Sequence, residues 1–234
     1  MRAAIASSAM LLDKSVEISN TRLEELKRRL LQMAASTEVS VQRSVRSLRD
    51  RDARLAEDVR AKDHVIDRYE MEIDALAMQA LETDLTFQEL RLVTMAMRIA
   101  QDLERVGDEA TTIARHALKL MAEAPIALPN ELMDEAIEAT SMLTDAIDAF
   151  VQKDAAMARG IIPRDASVDE WHKQLVAWLR GVIVEDIARL DQALSLMTIS
   201  RSLERVGDHA TNIAEDVVFF CDAEDIRHPD LGRG

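Results

Sequence analysis

The chain has 234 residues, 48% of them hydrophobic but only 3% aromatic, so its core must come from Ala, Leu, Ile, Val and Met, a mixture that favours helix over sheet. Its 29 basic and 43 acidic side chains leave a formal charge of −14, which argues against nucleic acid or anionic lipid as direct partners and concentrates cations instead. The single cysteine, Cys221, rules out an intrachain disulfide and a thiolate metal cage, and is expected as a small core residue.

Residues 1–12, MRAAIASSAMLL, are too short an apolar stretch for a signal peptide, interrupted by Ser7 and Ser8 and followed at once by Asp13 and Lys14, and are expected as an N-terminal extension. Residues 13–124 read as a first repeat, with helices at about 13–59, 62–81 and 86–122. Thr86 and Glu89 have the spacing of a capping box opening the third helix. Pro125 and Pro129 mark a boundary, with Asn130 as the expected N-cap of the next helix. Residues 130–222 read as a second repeat, with helices at about 130–159, 165–183 and 186–221 and a break at Gly160 and Pro163. Residues 223–234 form a tail. The predicted fold is all-α: two pseudo-symmetric three-helix bundles. No segment offers the roughly 20 uninterrupted apolar residues of a membrane span.

The duplication is explicit. LERVGDEATTIA at 103–114 recurs as LERVGDHATNIA at 203–214, and DARLAEDVRAKDHVID at 52–67 is echoed by DAAMARGIIPRDASVD at 154–169. Within the strong repeat, Ile99, Leu103, Val106, Ala110, Ile113 and Ala117 have the four-three spacing of an apolar helical seam, as do Ile199, Leu203, Val206, Ala210, Ile213 and Val217. Glu104 and Asp108, like Glu204 and Asp208, lie four residues apart and one step round from that seam. Like charges so placed repel, and more strongly where a neighbouring helix removes their water, so something positive must offset them. Gly107 and Gly207 offer a smooth strip along which another helix can approach.

That helix is the second of each repeat. Asp63, Asp67, Glu70 and Asp74 make a row on one face, matched by Asp165, Asp169 and His172. Two helices per repeat thus converge carboxylates toward a common point, a donor set suited to hard or borderline cations: Mg, Mn, Fe, or Zn with less ideal chemistry. The candidate metal ligands are Asp63, Asp67, Glu104, Asp108, Asp165, Asp169, Glu204 and Asp208, with Glu70 and His172 as additional candidates. In the plainer alternative, Arg91, Arg105, Arg201 or Arg205 bridge these acids in ordinary ion pairs. His209 is expected as a surface or hydrogen-bonded side chain. These helices contain no Glu-x-x-His motif, no glycine-rich phosphate loop and no nucleophile with a partnered base, so no catalytic residue is assigned and the chain is not expected to be an enzyme. A metal-dependent hydrolase and a metal-free helical scaffold are the alternatives.

LERVGD at 103–108 and 203–208, HATNIAE at 209–215, EDIRH at 224–228, ELRLV at 89–93 and RLEELKRRLLQM at 22–33 closely resemble segments of the PhoU family, and the likeness covers most of the chain. The resemblance implies tandem three-helix bundles whose (Glu or Asp)-x-x-x-Asp motifs bind metal clusters. It also implies a negative regulator of phosphate uptake and phosphate-starvation signalling. Such a regulator is a homodimeric cytoplasmic adaptor that contacts the ATPase subunit of a phosphate ABC transporter and a phosphate-sensing histidine kinase, and reaches the inner membrane only through those partners.

Overall fold

A computed structural model describes the backbone of residues 2–227 and the side chains of residues 21–227. The end of the expected tail, including the His of the EDIRH segment, lies outside the described residues. Every regular element is helical: α1 (Arg2–Asp50), α2 (Ala53–Leu81), α3 (Phe87–Met121), α4 (Asn130–Gln152), α5 (Ala155–Ile161), α6 (Asp165–Glu185) and α7 (Leu190–Asp222), with short 3-10 turns at Ile162–Arg164 and Ile187–Arg189. The first three helices pack on one another as one bundle, and α4, α5 together with α6, and α7 form the second. Among the described residues no helix is long and apolar enough to cross a membrane.

Each repeat turns at the same signal. Arg51 and Lys153 adopt left-handed backbone angles, φ 52° and 54°, and the Asp that follows each caps the next helix. Asp52 accepts hydrogen bonds from the amides of Arg54 and Leu55, and Asp154 from those of Ala156 and Met157. The first break therefore comes at Arg51–Asp52 rather than near residue 60, and the second at Lys153–Asp154 rather than at Gly160. The apolar periodicity that runs on into Ala56 and Val59 belongs to α2, because a local side-chain cap halts the helix where hydrophobic spacing alone does not. Pro163 instead interrupts the second helix of its own repeat. It inserts a 3-10 turn between α5 and α6, where the first repeat has the unbroken α2. The capping box at Thr86 and Glu89 forms as expected. At α4 the cap position is Pro129, with Asn130 the first helical residue and no side-chain cap bond.

The two predicted seams are both buried, with every member at 2% exposure or less. They meet: α3 lies against α7, and one continuous core joins Leu26, Leu30 and Val41 of α1 to Ala139, Met142 and Leu143 of α4 and Val206 and Ala210 of α7. Arg98 lies beside Asp216, Asp102 beside His209 and Asn212, and Glu109 beside Arg205, so α3 and α7 run antiparallel. Cys221 sits at the edge of this core, half-buried, with its thiol against the Lys153 carbonyl.

A duplicated candidate metal centre

The second helix of each repeat packs against a glycine, and at Gly107 the approach requires one. A Cβ on Gly107 would fall 2.9 Å from Ile66 Cδ1, so α2 approaches α3 more closely than any other residue there allows. A Cβ on Gly207 would stand 3.4 Å from Asp165 Oδ1, which makes that glycine the wall against which a candidate ligand rests.

In the first repeat, α2 and α3 bring Asp63, Asp67, Glu70, Glu104 and Asp108 close enough for their charges to act on one another. Loss of hydration raises the pKa of Asp63, Glu70, Glu104 and Asp108, and neighbouring carboxylates raise each further. Thr111 Oγ1 donates to Asp63 Oδ1 at 2.9 Å. In the second repeat, α6 and α7 bring together Asp165, Asp169, Glu204 and Asp208. Asp165 is pushed up to about 6, first by desolvation and then by Asp208, Asp169 and Glu204. Thr211, the counterpart of Thr111, donates to none of them, and its hydroxyl is buried without a hydrogen-bond partner.

Arginine bridging is limited. Arg105 stands 3.5 Å from Glu104 and Arg201 3.1 Å from Glu204, both from the same helix as the acid. Arg205 turns away to pair with Glu109 across the α3–α7 contact at 2.9 Å. Among the described residues no Lys, Arg or His lies within ion-pair distance of Asp67, Asp108, Asp165 or Asp208, although Arg105 offsets part of the charge around Asp108, His209, Arg201 and Arg205 part of that around Asp208, and Lys173 stands 3.6 Å from Asp169. His209 hydrogen-bonds Asp102 at 2.8 Å rather than joining the cluster.

Both clusters open on one groove of about 600 Å³ over the crossing of α3 and α7, lined by Asp108 from the first, by Asp165 and Asp208 from the second, and by Arg105 and Arg205. Among the described residues no three His, Cys, Asp or Glu side chains are gathered tightly enough to share one ion. Like charges repel, and a bound cation would be needed to draw these carboxylates together. The chemistry of the donors fits a cation nonetheless: all are oxygen ligands, and burial raises the proton affinity of Asp63, Glu70, Glu104, Asp108, Asp165 and Asp208.

Sequence reasoning passed over two further polar residues. Glu135 of α4 is fully buried and accepts a hydrogen bond from Ser200 Oγ at 2.7 Å through Oε2, while Ser200 Oγ is also 2.7 Å from His172 Nδ1. The signal was present: Glu135 interrupts the stripe Leu132, Ala136, Ala139, Leu143 on the face that α4 buries.

The PhoU domain family matches the chain twice, over residues 30–117 and 133–217. The chain is 36% identical over 217 residues to the phosphate-specific transport system accessory protein PhoU homolog of Pseudomonas putida, an alignment covering 92% of this chain and 84% of that protein. It is 28% identical over 210 residues to the Escherichia coli accessory protein PhoU, covering 89% and 87%. The crystal structure of PhoU from Pseudomonas aeruginosa superposes with a TM-score of 0.85 at 33% identity, covering 88% of this chain and 99% of that one. Two matched domains, two turns with the same cap and two acidic helix pairs on one core make this chain a member of the PhoU family.

Proposed function

We propose that the protein is a non-catalytic negative regulator of phosphate uptake and phosphate-starvation signalling, working as a cation-loaded adaptor between the ATPase subunit of a phosphate ABC transporter and a phosphate-sensing histidine kinase. It acts as a homodimer in the cytoplasm and is recruited to the inner membrane by those partners. Membership in the family, and relatives that bear the name of phosphate-transport accessory proteins, support the regulatory part. The observation that carries the metal part is the pair of carboxylate clusters, each drawn from two helices, that open on one groove.

In this reading Asp63, Asp67, Glu104 and Asp108, with Glu70, hold cations in the first repeat, and Asp165, Asp169, Glu204 and Asp208 hold them in the second. Bound Mg, Mn, Fe or Zn would supply positive charge and fix the helices that carry the ligands. The chain's own residues do the rest: Gly107 sets the spacing of α2 and α3, and Arg105 and Arg205 frame the groove.

The test has two arms. Protein purified without chelator is analysed for metal by element, comparing wild type with Glu104→Ala/Asp108→Ala and with Glu204→Ala/Asp208→Ala. Each pair of changes should remove part of the metal, and unchanged content in both overturns the cation reading. Deleting the gene should derepress phosphate uptake, and normal uptake with a normal starvation response overturns the regulatory one.

A further inference from the structure

The side of the molecule formed by α1 and α4 carries a surface that neither acidic cluster uses. The two helices run antiparallel: Thr144 donates to Glu38 at 2.6 Å, while Val45 and Leu48 share an apolar cluster with Leu132 and Ala136. They touch only lightly, and a groove of about 500 Å³ lies between them, lined by Val45, Ala136 and Ile137, with Arg46 and Arg49 on the α1 rim. Ile137 is 64% exposed. One exposed aliphatic side chain is ordinary on a protein surface, so its setting decides what it means.

That setting is a pair of opposite charges held apart. Arg46 and Arg49, both more than half exposed, share one carboxylate, Asp50, at 3.2 and 2.8 Å, which leaves the rim one positive charge in excess. Across the groove, Asp134, Ile137, Ser141, Thr144 and Asp148 follow a three-four-three-four spacing and so form one stripe of α4. Asp134 is exposed, and among the described residues no Lys, Arg or His lies within ion-pair distance of it. The register that sets Glu38 beside Thr144 sets Arg46 and Arg49 level with the turn of α4 that carries Asp134 and Ile137. An uncompensated cation and an uncompensated anion thus flank an apolar groove at one height without meeting inside one copy.

Such a face complements itself. A second copy laid on it by a twofold axis along the groove places α1 of each copy against α4 of the other at unchanged height. Arg46 and Arg49 of each then reach Asp134 of the other, the two Ile137 side chains fill the apolar grooves, and the contact as a whole is neutral. A twofold axis across the helices would instead set α1 on α1 and arginine against arginine, and an acidic peptide would be repelled by Asp134. Over most of its surface a chain of charge −14 repels its own kind, and this face does not. Resting on the homodimer of the reading above, we propose that the α1–α4 groove is the surface through which two copies of this chain associate, as a layer of four helices joined by crossed pairs of Arg46 and Arg49 with Asp134.

The test is sedimentation of the full chain over a range of concentrations. Wild type should form a reversible dimer. Arg46→Glu/Arg49→Glu and Asp134→Lys should each weaken it by at least about 10-fold, since each sets like charges against one another, and Ile137→Asp should do the same. The two charge variants mixed in equal amounts should recover the dimer, because both crossed contacts then join opposite charges, and that recovery also shows both variants to be folded. Charge variants that dimerise as tightly as wild type, or a mixture no tighter than its parts, overturn this inference and leave the homodimer to another face. A wild type that stays monomeric throughout overturns both. Vesicles of anionic lipid that bind wild type and not Arg46→Glu/Arg49→Glu, with dimerisation unaltered, assign the groove to a membrane surface and overturn the inference as well.

Discussion

Glu135 shows how one side chain ties stability to pH. Burial outweighs the Ser200 hydrogen bond and pushes its carboxyl up to about 8 from an ordinary 4.5, with Glu204 adding to the shift. Because the folded value is the higher, the native state holds a proton that the unfolded chain releases between roughly pH 4.5 and 8. Stability therefore falls as pH rises through that window. In metal-free protein, Glu135→Gln should leave the melting temperature nearly unchanged at pH 5 and raise it at pH 8, by roughly 2–4 °C for each kcal/mol relieved. Thermal melts at the two pH values check this. The glycines make a second residue-scale contrast. Alanine gains up to about 1 kcal/mol over glycine in a helix interior. At Gly207 the added methyl meets only ordinary contacts, so Gly207→Ala should be neutral or stabilising. At Gly107 it collides with the buried Ile66, so Gly107→Ala should lose about 1–3 kcal/mol in denaturant titration.

At the scale of the helix, what the sequence discloses and what it conceals have separate physical causes. The long seams of α3 and α7, the capping box at Thr86 and the duplicated LERVGD motif were legible because each is a local pattern with a single reading. The breaks at Asp52 and Asp154 were not. Hydrophobic spacing continues smoothly past both, and an Asp in a charged stretch does not advertise whether it caps or faces water. Their equivalence emerges only when the weaker repeat is read as a turn signal as well as an acidic motif. Replacing either cap by Ala should cost about 1 kcal/mol, and the two losses should add, since the caps belong to separate repeats. Of the candidate site, the carboxylates were legible from spacing and duplication. Glu135 was legible only as an interruption of the apolar stripe of α4, and its pairing with Ser200 was hidden because it depends on a second helix.

On the scale of the whole molecule, the groove over the α3–α7 crossing makes binding and stability one quantity. If cations bind the folded clusters and not the unfolded chain, saturation at 100 times the dissociation constant adds about 2.7 kcal/mol per site. That corresponds to a rise of roughly 5–10 °C in melting temperature, which chelator should reverse and Glu104→Ala/Asp108→Ala should reduce. Calorimetry with and without chelator measures it.

The polar pairs along that crossing also decide which half recognises which. Arg98 meets Asp216, and the residue that corresponds to Asp216 in the first repeat is His116; Arg205 meets Glu109, whose counterpart in the second is His209. Were two first repeats to associate through the same faces, Arg98 would confront an imidazole in place of a carboxylate, and two second repeats would set Arg205 against another. Pairing of like halves would thus give up both ion pairs. The charges along the crossing therefore favour the unlike couple, and the Arg205–Glu109 pair among them lies at the groove on which the two acidic clusters open.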